Sequence, residues 1–189
     1  MANSDLCSLD EVKDYMGMED SKSVVDDVLE DIITGVSDIF HTYCGVEQFK
    51  QQTYTEYYDG CGQKLLFVYN TPIISVTEIN IDSDWEFGVD TTVGSDEYKI
   101  VNNLYIVLKN TVFSLGDQNV KIEYSAGYAT IPRDINLVAV EEVVRRHRRK
   151  KDFDISSRSL GNGQATFYEK GLLVSTKNVL NAYKKPVAI

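Results

Sequence analysis

The sequence has little of what catalysis and metal binding require. Its two histidines, His41 and His147, and three cysteines, Cys7, Cys44 and Cys61, stand at no metal-ligand spacing, whereas structural zinc needs four close Cys/His ligands. An odd number of scattered thiols is read as free and reduced, the state of a cytoplasmic chain. No Ser/His/Asp set assembles, because both histidines fall on predicted helices and neither is near a nucleophile-elbow pattern. His41 is read as a surface or satisfied residue rather than a ligand. The glycine groups Gly60-Cys61-Gly62 and Gly161-Asn162-Gly163 lack the Lys-Ser/Thr of a phosphate loop and read as turns. The acidic stretch from Asp82 to Gly88 is a poor calcium loop: its Gly comes one place late, and Val93 stands where a bidentate Glu is needed. No apolar run approaches the ~18 residues of a membrane span, and the acidic start MANSDLCSLDEVKDY is unlike a secretory signal. There is no internal repeat. The expectation is a chain that is no enzyme, holds no cofactor or metal, and engages no membrane.

What is present is an ordinary globular composition, 43% hydrophobic and 25% charged over 189 residues, enough for one domain or a domain with an insert. The net charge of -10 is unevenly spread. Residues 1–60 carry fourteen Asp/Glu against three Lys, and residues 133–151 carry seven Arg/Lys against three Asp/Glu. Such polarity serves solubility, or lets one copy's acidic face meet the next copy's basic face.

The apolar periodicity divides the chain. Ser8 to Glu11 fits a capping box, and Leu9, Val12, Tyr15 and Met16 share a face before Gly17. From a start signal at Asp20 to Ser23, apolar residues at spacings of three and four run from Val24 to Tyr43, with Gly45 as the stop. Gly35 in that helix interior suggests a close helix crossing. The period then becomes two over Thr53–Tyr58, Lys64–Tyr69, Ile73–Ile81, Tyr98–Val101, Leu104–Lys109 and Val120–Tyr124, punctuated by Asp59-Gly60, Asn70-Thr71-Pro72, Asn102-Asn103 and Leu115-Gly116-Asp117. Pro132 and Asp134 mark the first turn of the next helix. On its wheel Leu137, Ala139, Val140, Val143, Val144 and His147 share a broad apolar arc, while Glu141, Glu142, Arg145, Arg146, Arg148 and Arg149 share the other, with i,i+4 pairs Glu141/Arg145 and Glu142/Arg146. So wide an apolar arc needs cover from several elements, which makes this the central helix of a helical layer. Residues 152–163 read as loop, 165–168 as a short strand, and Ser175 as the cap of a last helix stopped by Pro186.

The fold class is α+β: a small helical bundle or layer with an inserted antiparallel β module of about six short strands. Its parts are an N-terminal helical part (1–48), the β module (49–127), the central helix (128–151) and a flexible C-terminal segment with a short last helix (152–189).

Several local signatures, taken in order, resemble the head-tail connector, or head-completion adaptor, proteins of tailed phages. They are LDEVKDYMG (Leu9 to Gly17), the long helix ending Tyr43-Cys44-Gly45, TEYYDG (Thr55 to Gly60), PIISV (Pro72 to Val76), YSAGYATIPRD (Tyr124 to Asp134) with its Arg-rich helix, and VLNAYKKP (Val179 to Pro186). The resemblance spans nearly the whole chain. It implies a structural virion protein at the head-tail interface, assembled in the bacterial host cytoplasm. Such proteins form a ring, usually dodecameric, beneath the portal protein, continue the DNA channel and dock the next head-completion or stopper protein or the tail; genomic DNA passes through the lumen without sequence-specific binding. It also implies that the C-terminal part reaches the portal, which points to Tyr168, Tyr183, Lys184 and Lys185. A closed ring needs two unlike patches on each copy. Arg145, Arg148 and Arg149 are therefore expected to meet Asp26, Asp27, Glu30 and Asp31 of the same or a neighbouring subunit. The alternative from the residues alone is a nucleic-acid-binding regulator using the Arg-rich helix 134–151. Against it stand the acidic balance, the interleaved Glu141 and Glu142, and the lack of an aromatic platform.

Overall fold

A computed structural model describes residues 4–18, 25–149, 157–160, 163–166 and 171–185. The start signal at Asp20 to Ser23, the helix end at Lys150 and Lys151, Tyr168, and the Pro186 stop lie outside the described residues, as does most of the expected loop. The chain forms two compact units, Met1–Phe49 with Ile131–Ile189, and Lys50–Thr130. With four helices, two three-stranded antiparallel sheets and a two-stranded one among the described residues, it has the α+β class that the sequence predicts.

The helical unit contains α1 (Leu9–Met16), α2 (Asp26–Cys44), α3 (Arg133–Arg149) and α4 (Val174–Asn181). The Ser8 hydroxyl accepts from the Glu11 N–H while the Glu11 carboxylate accepts from the Ser8 N–H, the reciprocal capping box. Gly17 and Gly45 end α1 and α2 at φ 68°, the left-handed conformation that glycine adopts without a Cβ penalty. The α3 helix packs against α1, α2 and α4. Its Ile135, Ala139 and Val143 are buried with Val12, Leu29, Ile33, Phe40 and Leu180, so α3 is the central helix that its wide apolar arc predicts.

Several local expectations are corrected. Gly35 is exposed, and a Cβ built there would meet nothing within 4 Å, so no helix crosses at that point among the described residues. The last helix starts at Val174, with Leu173 rather than Ser175 at the N-cap. Within the stretch read as loop, Ser157–Leu160 forms β7 and pairs antiparallel with β8, Gly163–Thr166. A four-residue strand in a two-stranded ladder is defined by backbone pairing and need not show an alternating pattern. His41 is buried, its ring 5.4 Å from that of Phe49, and its Nε2 has no hydrogen-bond partner among the described residues.

The β unit contains β1 (Gln52–Gly60), β2 (Leu65–Phe67), β3 (Ile73–Ile81), β4 (Tyr98–Val101), β5 (Tyr105–Leu108) and β6 (Gly116–Ala126). One sheet has the order β1-β6-β3 and the other β2-β5-β4. Inward residues of both, among them Tyr54, Ile79, Ile106, Leu108, Ile122 and Tyr124, form one core cluster together with Phe113. The β4–β5 turn places Asn102 and Asn103 at φ 53° and 57°, a region that Asn tolerates. At the end of β1, Gly60 passes so close to the Ser114 carbonyl that a Cβ would lie 1.7 Å from its oxygen. Its N–H donates to Asn119 Oδ1 at 2.8 Å, and the Asn119 amide donates back to the Ser114 carbonyl. The Asp-Gly that reads as a turn signal is thus a bulge where two backbones touch.

Candidate assembly surfaces

The basic end of α3 is more structured than its sequence suggests. Glu142, which the wheel places on the polar arc, is 1% exposed. Arg145 grips it with two bonds, Nε to Oε2 at 2.8 Å and Nη2 to Oε1 at 2.5 Å, and Arg146 Nε donates to Oε1 at 2.7 Å. Arg145 Nη2 also donates to the Gly171 carbonyl at 2.9 Å, which ties α3 to the residues that lead into α4. Glu142 lies between Val138 and Ile135 in angular position on the helix, inside the buried arc and toward its Val138 edge; two arginines at i+3 and i+4 neutralise it there. Beyond the first turn, with exposed Arg133 and Asp134, the strip left to solvent is Leu137, Glu141 and Arg148. Leu137, expected on the buried arc, is 48% exposed for the same reason.

Of the acidic residues of α2, Asp26 is buried and paired with the equally buried Lys13 at 2.9 Å. Asp27 and Asp31 are exposed and Glu30 is half-buried. Among the described residues, Arg145 pairs with Glu142 of its own helix rather than with an acidic residue of α2.

Of the residues expected to touch the portal, Tyr183, Lys184 and Lys185 make contacts within the helical unit. The Tyr183 hydroxyl donates to the Asp134 carboxylate at 2.8 Å, and its ring meets Phe49 edge-on at 6.2 Å. Asp134 also accepts from the Ile135 N–H at 2.9 Å, so one carboxylate serves the first turn of α3 and anchors the segment after α4. Lys184 Nζ lies 5.1 Å from the Tyr43 ring centre, and the Lys185 N–H donates to the Cys44 carbonyl at 2.9 Å.

In the β unit the Asp82 carboxylate accepts from the N–H groups of Asp84, Glu86 and Phe87. It stabilises its own loop, and those bonds hold its pKa below the ordinary value. No cluster that could hold a metal ion occurs among the described residues. A polar network that the alternation conceals sits on an inward row: Glu56 accepts from the hydroxyls of Tyr58 and Tyr124 and from the Asn70 amide, while the Tyr124 hydroxyl accepts from the Asn70 N–H at 3.0 Å. Burial first, and the bond to Glu56 next, push both tyrosines far above the ordinary phenol range. They act as fixed donors, so the network is structural.

Among solved structures, the fold is similar to that of a chain in the neck of an empty gene transfer agent particle computed with C6 symmetry. That match has a TM-score of 0.61 and 13% identity, and covers 96% of this chain and 90% of that one. A chain in the neck of the native particle computed with C12 symmetry, and one in the native virion, match with a TM-score of 0.59 and 12% identity over the same shares. No curated protein matches the sequence. The fold class is therefore one found in the necks of phage-like particles. The model of the head completion protein family matches residues 5–186, and the chain belongs to that family. It is a structural virion protein of the head-tail connector kind.

Proposed function

We propose that the protein forms a ring on the portal, extends the DNA channel from it, and offers its far side to the next head-completion, stopper or tail protein. Membership of the head completion family over nearly the whole chain carries this reading. The twelve-fold symmetry used for the neck of one similar particle supports a dodecamer. Each copy also presents two unlike charged patches, as a heterologous ring requires: exposed Asp27 and Asp31 on α2, and exposed Arg148 on α3. Arg145 and Arg149 flank the basic patch, with Arg145 held in place by Glu142. The C-terminal segment, with Tyr168, Tyr183, Lys184 and Lys185, is the part that reaches the portal. DNA passes the ring without sequence-specific contact, as the net charge of -10 favours.

Electron microscopy of the cognate portal ring with and without the protein tests this reading. An added annular layer on one pole of the portal is the expected result. An unchanged portal image at saturating protein contradicts it.

A further inference from the structure

The two sheets of the β unit have opposite outer faces. In the β1-β6-β3 sheet the rows of outward parity are Thr53–Ser125–Ser75, Thr55–Glu123–Glu78 and Tyr57–Lys121–Asn80, polar apart from Tyr57, as on a solvated antiparallel sheet. In the β2-β5-β4 sheet they are Leu65–Val107–Lys99 and Phe67–Tyr105–Val101. Five of these six are apolar, although the inward row Leu66–Ile106–Ile100 already supplies the core side. Phe67 is 64% exposed, and its ring lies 5.3 Å from that of Tyr105. Lys99, the one charge on this face, is exposed and makes no ion pair among the described residues. Apolar rows on both sides of a sheet indicate a second cover.

The helical unit holds a complement to this face. Asp38, Ile39, Thr42 and Tyr43 of α2 line a shallow, almost wholly apolar groove of about 340 Å³. Asp38 at its rim is exposed and likewise makes no ion pair among the described residues. An aromatic knob with one unpaired cation and an apolar groove with one unpaired anion are a matched pair of unlike patches, the requirement of a head-to-tail contact between identical chains.

We infer that Phe67 and Tyr105 of one copy seat in the α2 groove of a second copy, with Lys99 facing Asp38 across the contact. The inference rests on the proposed ring, and it assigns the β unit the task of joining neighbours in it.

Cysteine cross-linking on the portal-bound protein tests it. In a Cys61→Ser background, chains carrying Phe67→Cys are mixed with chains carrying Ile39→Cys, or with chains carrying Leu137→Cys on the exposed strip of α3. Dimers joining positions 67 and 39, well in excess of those joining 67 and 137, are expected. As a second readout, Lys99→Glu and Asp38→Lys should each weaken ring occupancy about tenfold, and the two exchanges together should restore most of it. All six altered side chains are wholly or half exposed, so the fold tolerates the changes. A ring that forms without the 67–39 link, and in which the double exchange is as weak as the singles, overturns this contact and leaves the ring standing. Absence of any ring from the unaltered protein on the portal overturns both.

Discussion

Arg145 holds the buried carboxylate of Glu142 in a two-bond grip, and Arg146 closes it from the next turn position. The carboxylate is sealed from water while the arginines keep 18% and 32% of their side chains exposed. Loss of the two partners therefore differs in cost. Arg145→Ala with Arg146→Ala leaves a buried charge unpaired and should destabilise the chain by about 3–5 kcal/mol. Glu142→Met leaves two arginines that can reach solvent and should cost clearly less. Urea unfolding of both variants checks the order.

Gly35 stands on the exposed side of α2 with open space around it. Gly35→Ala should stabilise the isolated protein by about 0.5–1 kcal/mol, the difference in helix propensity, because the new methyl group meets no neighbour. A rise in Tm measured by calorimetry is the expected outcome. A fall would mean that the position is covered.

Acid should weaken the fold in two stages. Burial lowers the pKa of His41 from 6.5. A histidine kept neutral in the fold loses stability as pH falls below 6.5 toward that lowered value, because the unfolded chain takes up the proton first. For Glu11, burial pushes the pKa up, but bonds from the Ser8 N–H, the Asn136 amide and the Ser8 hydroxyl outweigh it and leave the pKa below 4.5. Its contribution is complete above 4.5 and is lost as pH falls through the lowered value. Urea midpoints from pH 7 to 3 should show both stages, and Glu11→Gln should flatten only the lower one.

The three thiols should react unequally. Burial raises the pKa of Cys7 to about 12 and that of Cys44 to about 11, and Cys61 is exposed. Native protein should therefore release one equivalent quickly with a thiol reagent at pH 8, and the other two only after denaturation. Cys61→Ser should abolish the fast phase.

The parts of this fold that were legible in the sequence are those in which a local rule and the global fold agree. The capping box at Ser8, the left-handed stops at Gly17 and Gly45, and the alternation Thr53–Tyr58 all express local chemistry that the packing preserves. What was hidden is polar chemistry on buried faces. Glu142 reads as a surface charge because its two arginines make it look like one of a solvated series. Glu56 reads as one polar residue in an alternating strand, yet its row faces the core, where two tyrosine hydroxyls and an amide satisfy it. Patterning distinguishes apolar from polar residues and does not count hydrogen-bond partners. The apolar outer face of β2, β4 and β5 lay in plain view as Leu-Leu-Phe and Tyr-Ile-Val-Leu, but only strand register shows which residues point outward together.

The central claim is assembly on the portal in a closed ring. Native mass spectrometry of the cognate portal ring, titrated with the protein to saturation, tests it most directly. The account predicts a single saturated species with one chain per portal subunit. Saturation at a smaller number, or a spread of partly filled portals that excess protein does not complete, would contradict it.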